Sequence, residues 1–358
     1  MSSVLNVFQE LVRIDSPSGH EEQICSWITN WAVKNGWSYV ADGIGNLIVT
    51  KQAATMLPFF LCAHMDTVQP GEGVQPVLKN NSIYSEGNTI LGADNKASMA
   101  AIVSAVEAWH EASDVGFQLL FTVKEEIGGG AEALDQSHLQ TKVGYIFDYA
   151  EPLGTIIVAA PYITNFKITL TGKASHACFP DEGWSVLPAI TDLLMNIPVG
   201  KQTVGDSYIN VGTVCTGTGS NIVPGSAVIN GEIRAFKKSH FNLHLSLVRG
   251  LAMACANQQI SVTFETSGYC AGYSHKAANP AVTELKKILS EAELSPVLKK
   301  SYSISDANSL NEMGFTVITS SDGVRQPHTT DEHIAVSDLE KLESIILELI
   351  KSAAREAA

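Results

Sequence analysis

Charge is scarce in this 358-residue chain, and positive charge most of all. Only 17% of residues are charged, and 23 Lys and Arg stand against 37 Asp and Glu, for a formal net charge of −14. That balance disfavours nucleic acid or an anionic membrane surface as a partner, because both demand basic patches. No run of about 18 apolar residues occurs, so no transmembrane helix is expected. The six cysteines (Cys25, Cys62, Cys178, Cys215, Cys255 and Cys270) contain no C-x-x-C pair. In a chain of this length they read as reduced, buried thiols of a cytoplasmic protein. The first residues lack the basic segment and apolar run of a secretory signal, which points the same way. Internal repeats and low-complexity linkers are missing as well.

What is present describes a large core. Hydrophobic residues make up 45% of the chain, and the length suits roughly two domains. Apolar spacing predicts helices over 4–14 and 18–34, the second started by Ser18 and Glu21 at capping-box distance. Strands are expected at 39–41, 46–50, 59–63, 117–123 and 143–147, and a small-residue helix runs from about 91 to 110. The glycines, prolines and Asn80-Asn81 between Thr67 and Thr89 read as loop. This alternation predicts an α/β fold with a mostly parallel, helix-covered sheet. From about residue 163 the style changes to strand 166–171, helix 186–195, strands 207–213 and 227–236, helix 241–256 and strand 260–266. That β-α-β-β-α-β order is similar to a ferredoxin-like α+β insert. Afterwards the first style returns, with helix 280–291, another from Ser305, strand 315–319 and a terminal helix from Ser337.

Three of the buried strands end in acids: His64 and Asp66 after one, Glu125 and Glu126 after the next, Asp148 after the third. In open α/β sheets ligands bind beyond the carboxyl ends of the strands, so these side chains are expected to converge. A His-x-Asp pair at a strand end has the geometry for a metal-bound imidazole whose far nitrogen is held by the carboxylate. A solvated aspartate beside a capping histidine would produce the same pair. Asp94 at a helix entrance reads equally as an N-cap.

Taken together, His64-Met65-Asp66-Thr67, Gly92-Ala93-Asp94-Asn95-Lys96, Glu125-Glu126-Ile127-Gly128, Asp148 and His328-x-x-x-Glu332 resemble the co-catalytic di-zinc exopeptidases, and among them the peptidase T-like tripeptide aminopeptidases. The resemblance runs along nearly the whole chain in order. It implies that His64, Asp94 and Asp148 hold one metal, that Asp94, Glu126 and His328 hold the other, and that Asp94 bridges. It further implies that Asp66 orients His64, that Glu125 is the general base, and that the Asp94–Asn95 peptide is cis. Two Zn²⁺ per chain are expected, with Co²⁺ or Mn²⁺ as substitutes, since the donors are nitrogen and oxygen without thiolate. Asn95 stands where such sequences often carry a second aspartate. Glu151 is a second candidate ligand beside Asp148, and His333 a competitor of His328.

The same resemblance places a discontinuous catalytic domain at 1–162 with 272–358 and a lid domain at 163–271. In the lid, His176, Asn221 and Arg234 are implied to contact the substrate, Arg234 by pairing with a peptide carboxylate. The expected substrate is a short peptide, and the expected reaction is release of the N-terminal residue of a tripeptide. A carboxypeptidase, an N-acyl-amino-acid deacylase and a non-catalytic metal-dependent binding protein are the alternatives. Many relatives dimerise through the lid and others are monomeric, so a homodimer is one expectation.

Overall fold

The computed structural model describes residues 3–110, 114–203 and 205–357. Its contacts divide the chain into two compact units: Met1–Val158 with His275–Ser301 and Ser305–Ala358, and Ala159–Ser274 with Tyr302–Ile304.

The first unit is built on a sheet whose centre is parallel. Val115–Thr122, Thr55–His64, Val143–Phe147 and Thr316–Ser320 lie side by side and run the same way. Antiparallel strands Leu47–Lys51 and Ser38–Ala41 extend one side, and Thr155–Ala160 pairs antiparallel on the other. Phe59–His64 is buried at every residue, which means both faces of that strand are covered, as parallel strands require. Helix Ala93–His110 packs on this strand and against the terminal helix Val336–Ala357. Its small residues, among them Ala97, Ala100, Ala101 and Ala105, are fully buried, so the backbone can sit close to its neighbours. Register decides the rest: His64 pairs with Thr122, and Ser320 with Phe147. The four parallel strands therefore end at one edge, and the residues just past those ends are neighbours.

The mostly parallel α/β sheet is as the sequence predicts, but three local readings change. The stretch after Thr67 contains a hairpin, Pro76–Lys79 with Ser82–Ser85, which His333–Ala335 joins as a third strand. Asn80 and Asn81 both have positive φ, 49° and 62°, the signature of a type I′ turn, for which Asn is favoured. Strand Thr155–Ala160 was not expected at all. The third change concerns Ser18 and Glu21. Helix Glu22–Lys34 has no side-chain cap, because the Ser18 hydroxyl donates to Asp66 and the Glu21 carboxylate accepts from the Lys124 N–H. Both caps were diverted to hold the loops at the strand ends.

The second unit carries Tyr162–Thr171, helix Leu187–Asn196, Ser207–Thr216, Ser226–Ala235, helix Lys238–Ala254 and Ser261–Cys270. Its sheet is antiparallel, with the fourth long strand beside the first, then the third, then the second. This is the ferredoxin-like order. Phe166, Ile168 and Leu170 alternate with exposed Asn165 and Lys167, so a single face is covered, here by helix Lys238–Ala254.

Candidate metal centre

Each donor at the strand-end edge is aimed by a local constraint. His64 is the last residue of its strand, 2% exposed, and its Nδ1 lies 3.0 Å from the carbonyl oxygen of Asp66. That contact fixes Nδ1 as the protonated nitrogen and leaves Nε2 as the donor toward the cluster. Nε2 sits 3.2 Å from Asp94 Oδ1 and 3.7 Å from Asp148 Oδ1. Asp94 has a non-helical backbone (φ −81°, ψ 103°) with a cis peptide to Asn95, and its two carboxylate oxygens face His64 and His328. Glu332 grips this segment, accepting the Gly92 N–H at 2.7 Å and the Asp94 N–H at 3.0 Å. The buried amine of Lys96 donates to the Ile14 carbonyl at 2.7 Å.

From the next strand, Glu126 presents Oε1 2.9 Å from Nε2 of His328, whose Nε2 is also 3.4 Å from Asp94 Oδ2. The approach to Glu126 is close but lacks hydrogen-bond geometry, so Oε1 is a buried carboxylate oxygen without a donor. His328 reaches in from a left-handed backbone (φ 62°), an uncommon state for a residue with a Cβ that clusters at functional sites.

Asp66 lies between His64 and the glutamate pair. Its carboxylate Oδ1 is 3.5 Å from His64 Nδ1, farther than its own carbonyl oxygen. Its bonds go instead to the backbone N–H of Glu125 (2.9 Å), that of Glu126 (3.2 Å) and the Ser18 hydroxyl (2.6 Å). The Asp66 carbonyl oxygen is thus the nearer acceptor for His64, and its carboxylate accepts from the N–H groups of both glutamates.

The electrostatics follow from crowding acids in a dry place. Burial pushes the carboxyls of Glu125, Glu126 and Asp148 upward; the charge of Asp148 adds to the rise at Glu125. Burial acts the same way on Asp94, but His328 and His64 outweigh it and hold that group low. Burial disfavours the His64 imidazolium, yet the neighbouring carboxylates of Asp148, Asp66 and Asp94 raise it well above its ordinary value. Contacts with Asp94 and Glu126 raise His328 to about 10. Acids held in excess among imidazoles are the arrangement that a multivalent cation relieves.

The donor chemistry fits divalent metal. Single ligand atoms of His64, Asp94 and Glu126 lie within 4.8 Å of one another, and so do those of Asp94, Asp148 and Asp322. The two groups share Asp94. All donors are nitrogen or oxygen, and among the described residues Asp94, Glu126 and Asp148 have only histidines as cationic partners.

Asp322 was absent from the sequence reading. It follows strand Thr316–Ser320 by two residues, as Asp66 follows His64, so the rule that found the other acids would also have found it. The two competitors resolve otherwise. Glu151 pairs with Lys299 at 3.2 Å. His333 stacks on Tyr84 with ring centroids 4.6 Å apart. In the second unit, His176 and Asn221 are neighbours: His176 pairs with Ile222, and Ala177 donates to the Asn221 carbonyl. The His176 Nδ1 accepts the Cys178 N–H. Arg234 gives both arms of its fork to Glu232, at 2.6 and 2.7 Å, and a third bond to the Tyr302 carbonyl.

Comparison with known proteins agrees with this geometry. An uncharacterised protein of Bacillus subtilis, YqjE, is 31% identical over 369 residues, covering 98% of both chains. The fold is similar to that of the aminopeptidase PepT from Bacillus cereus, with a TM-score of 0.92, 29% identity and 98% of each chain covered. A tripeptidase structure from Staphylococcus aureus gives a TM-score of 0.92 at 29% identity, over 99% of this chain and 98% of that one. The model of peptidase family M20/M25/M40 matches residues 60–352, and the chain belongs to that family.

Proposed function

We propose that this metallopeptidase is an aminopeptidase of tripeptides that works with two divalent cations. The observation that carries the reading is the likeness, along 98–99% of the chain, to an aminopeptidase and a tripeptidase, joined to a set of nitrogen and oxygen donors gathered around Asp94, which His64 and His328 approach at 3.2 and 3.4 Å. His64, Asp94 and Asp148 would hold one cation, and Asp94, Glu126 and His328 the other. Zinc suits these donors, and cobalt or manganese would substitute. Bound there, divalent cations lower the pKa of a coordinated water to about 7 and polarise a scissile carbonyl.

The chain's own residues do the remaining work. Glu125 stands beside Glu126 on a turn whose two N–H groups are held by Asp66. With Glu126 spent on a cation, Glu125 is free to take a proton from the attacking water and deliver it to the leaving amine. Burial raises its proton affinity, and nearby cations bring it back toward ionisation. Glu332 keeps Asp94 in place by gripping the backbone before it. In the second unit, the reading assigns substrate contacts to His176, Asn221 and Arg234. The Nε2 of His176 is left to donate, because Nδ1 is an acceptor.

A substrate panel tests the proposal. Tripeptides with a free amino terminus should be cleaved after the first residue, with dipeptides and N-acyl amino acids turned over poorly. Preferential cleavage of the C-terminal residue, or of N-acyl amino acids, would replace this reading with a carboxypeptidase or deacylase.

A further inference from the structure

Asp322 is a buried acid that the reaction outlined above does not use. It is 1% exposed, and no lysine, arginine or histidine pairs with it among the described residues. Oδ1 accepts the Val324 N–H at 2.9 Å, and its own N–H donates to the Tyr149 carbonyl at 3.3 Å. These bonds shape a turn at the end of strand Thr316–Ser320, next to the turn that carries Asp148. An asparagine would make both of them. The negative charge is therefore surplus to the turn, and a buried charge is costly unless something of opposite sign compensates it.

Its neighbours indicate what does. One carboxylate oxygen of Asp322 lies within 4.8 Å of ligand atoms of both Asp94 and Asp148, the acids that approach His64 Nε2 at 3.2 and 3.7 Å. The adjoining group contains the buried, donorless Oε1 of Glu126, on a side chain 7% exposed. A buried carboxylate oxygen without a hydrogen-bond donor points to a cation beside it, and Asp94 belongs to both groups.

We infer that Asp322 is a fourth ligand of the cation held by His64, Asp94 and Asp148. The inference rests on the two-cation reading and makes its two positions unequal. One has three carboxylates and an imidazole; the other has two carboxylates and an imidazole from half-exposed His328. The Asp322 position binds more tightly and fills first.

The test is metal retention rather than activity. Wild type and Asp322→Asn are loaded with zinc, dialysed against graded chelator and analysed for metal per chain. Wild type should give up one cation early and the second much later. Asp322→Asn should lose that second cation at chelator activities lower by at least ~10-fold, the scale seen when a metal site loses a supporting group. Thermal unfolding of both metal-free proteins separates a ligand from a structural acid. A ligand leaves the metal-free Tm nearly unchanged and reduces only the rise produced by zinc. Superimposable retention curves overturn the inference, and so does an equal drop in Tm with and without metal. If Asp322→Asn does not fold, Asp322→Ser keeps an acceptor for the Val324 N–H and gives the same comparison. A wild-type protein that retains no cation sinks the two-cation reading itself, an outcome distinct from two cations bound with no effect at Asp322.

Discussion

The backbone N–H of Glu125 donates to Oδ1 of Asp66 at 2.9 Å, and that of Glu126 to Oδ2 at 3.2 Å. An aspartate two residues past one strand thus fixes the turn that ends the next. Ser18 supplies a third donor at 2.6 Å. Asp66→Asn keeps the shape but turns an amide N–H₂ toward one of these donors. Charge-assisted bonds of this kind contribute ~1.5–3 kcal/mol. A lower Tm is expected, together with a ~10–100-fold loss of activity or metal affinity. Unfolding scans and metal analysis of the purified variant check both; wild-type values for both would show that the turn is held by other contacts.

How much of this was legible beforehand depends on whether local sequence or tertiary context decides. Buried strands ending in His64, Glu125 and Asp148 are visible because apolar runs and acids stand out. Their level alignment is a matter of register, which no single run encodes. Ser18 and Glu21 have capping-box spacing, yet their side chains serve Asp66 and Lys124 instead, because loops from distant segments meet there. Asp322 stands two residues past strand Thr316–Ser320, the same offset as Asp66 from its strand, so its position was legible by the same rule; its closeness to Asp94 and Asp148 was not. The hairpin at Pro76–Lys79 was hidden by Asn80-Asn81, which reads as loop until both residues are seen to have positive φ.

The two adjacent glutamates should separate by experiment. Glu126→Gln is expected to lower metal content and activity together, since its carboxylate is a ligand in the proposed centre. Glu125→Gln should keep both cations and lose ~10²–10⁴-fold in kcat, the usual cost of a missing general base. KM should move little, because proton transfer is confined to the transition state. Metal loss in Glu125→Gln with two cations kept in Glu126→Gln would exchange the roles.

Without metal, stability should fall as pH rises. Burial lifts Glu332 and Asp306, the buried first residue of helix Asp306–Glu312, to about 7, and contacts with Asp94 and Glu126 lift His328 to about 10. All three pKa values lie above those of the unfolded chain, so the folded state binds more protons between the two values. By linkage, their stabilisation is complete below the unfolded pKa and is lost as pH climbs through the folded one. The metal-free Tm should therefore drop between about pH 5 and 8 through the two acids, and further toward pH 10 through His328. Asp306→Asn should flatten the first part of the curve and His328→Ala the second. Bound cations should reverse the trend, because protons compete for the same imidazole and carboxylates. A metal-free Tm that rises over pH 5–8 would contradict these shifts.

Arg234 offers the sharpest test of substrate recognition in the second unit. Its fork is already occupied by Glu232, two residues earlier on the same strand. A peptide carboxylate would have to displace or share that partner. Arg234→Ala should raise KM for free tripeptides, by an amount reflecting a charge-assisted contact of roughly 1.5–3 kcal/mol. Peptides amidated at the C-terminus should be affected much less. Glu232→Gln then becomes the informative partner: it leaves the guanidinium in place and removes its competing charge, so KM for free tripeptides should fall. An unchanged KM in Glu232→Gln, with equal losses for free and amidated peptides in Arg234→Ala, would assign the Arg234–Glu232 pair to holding the Tyr302 segment rather than to substrate.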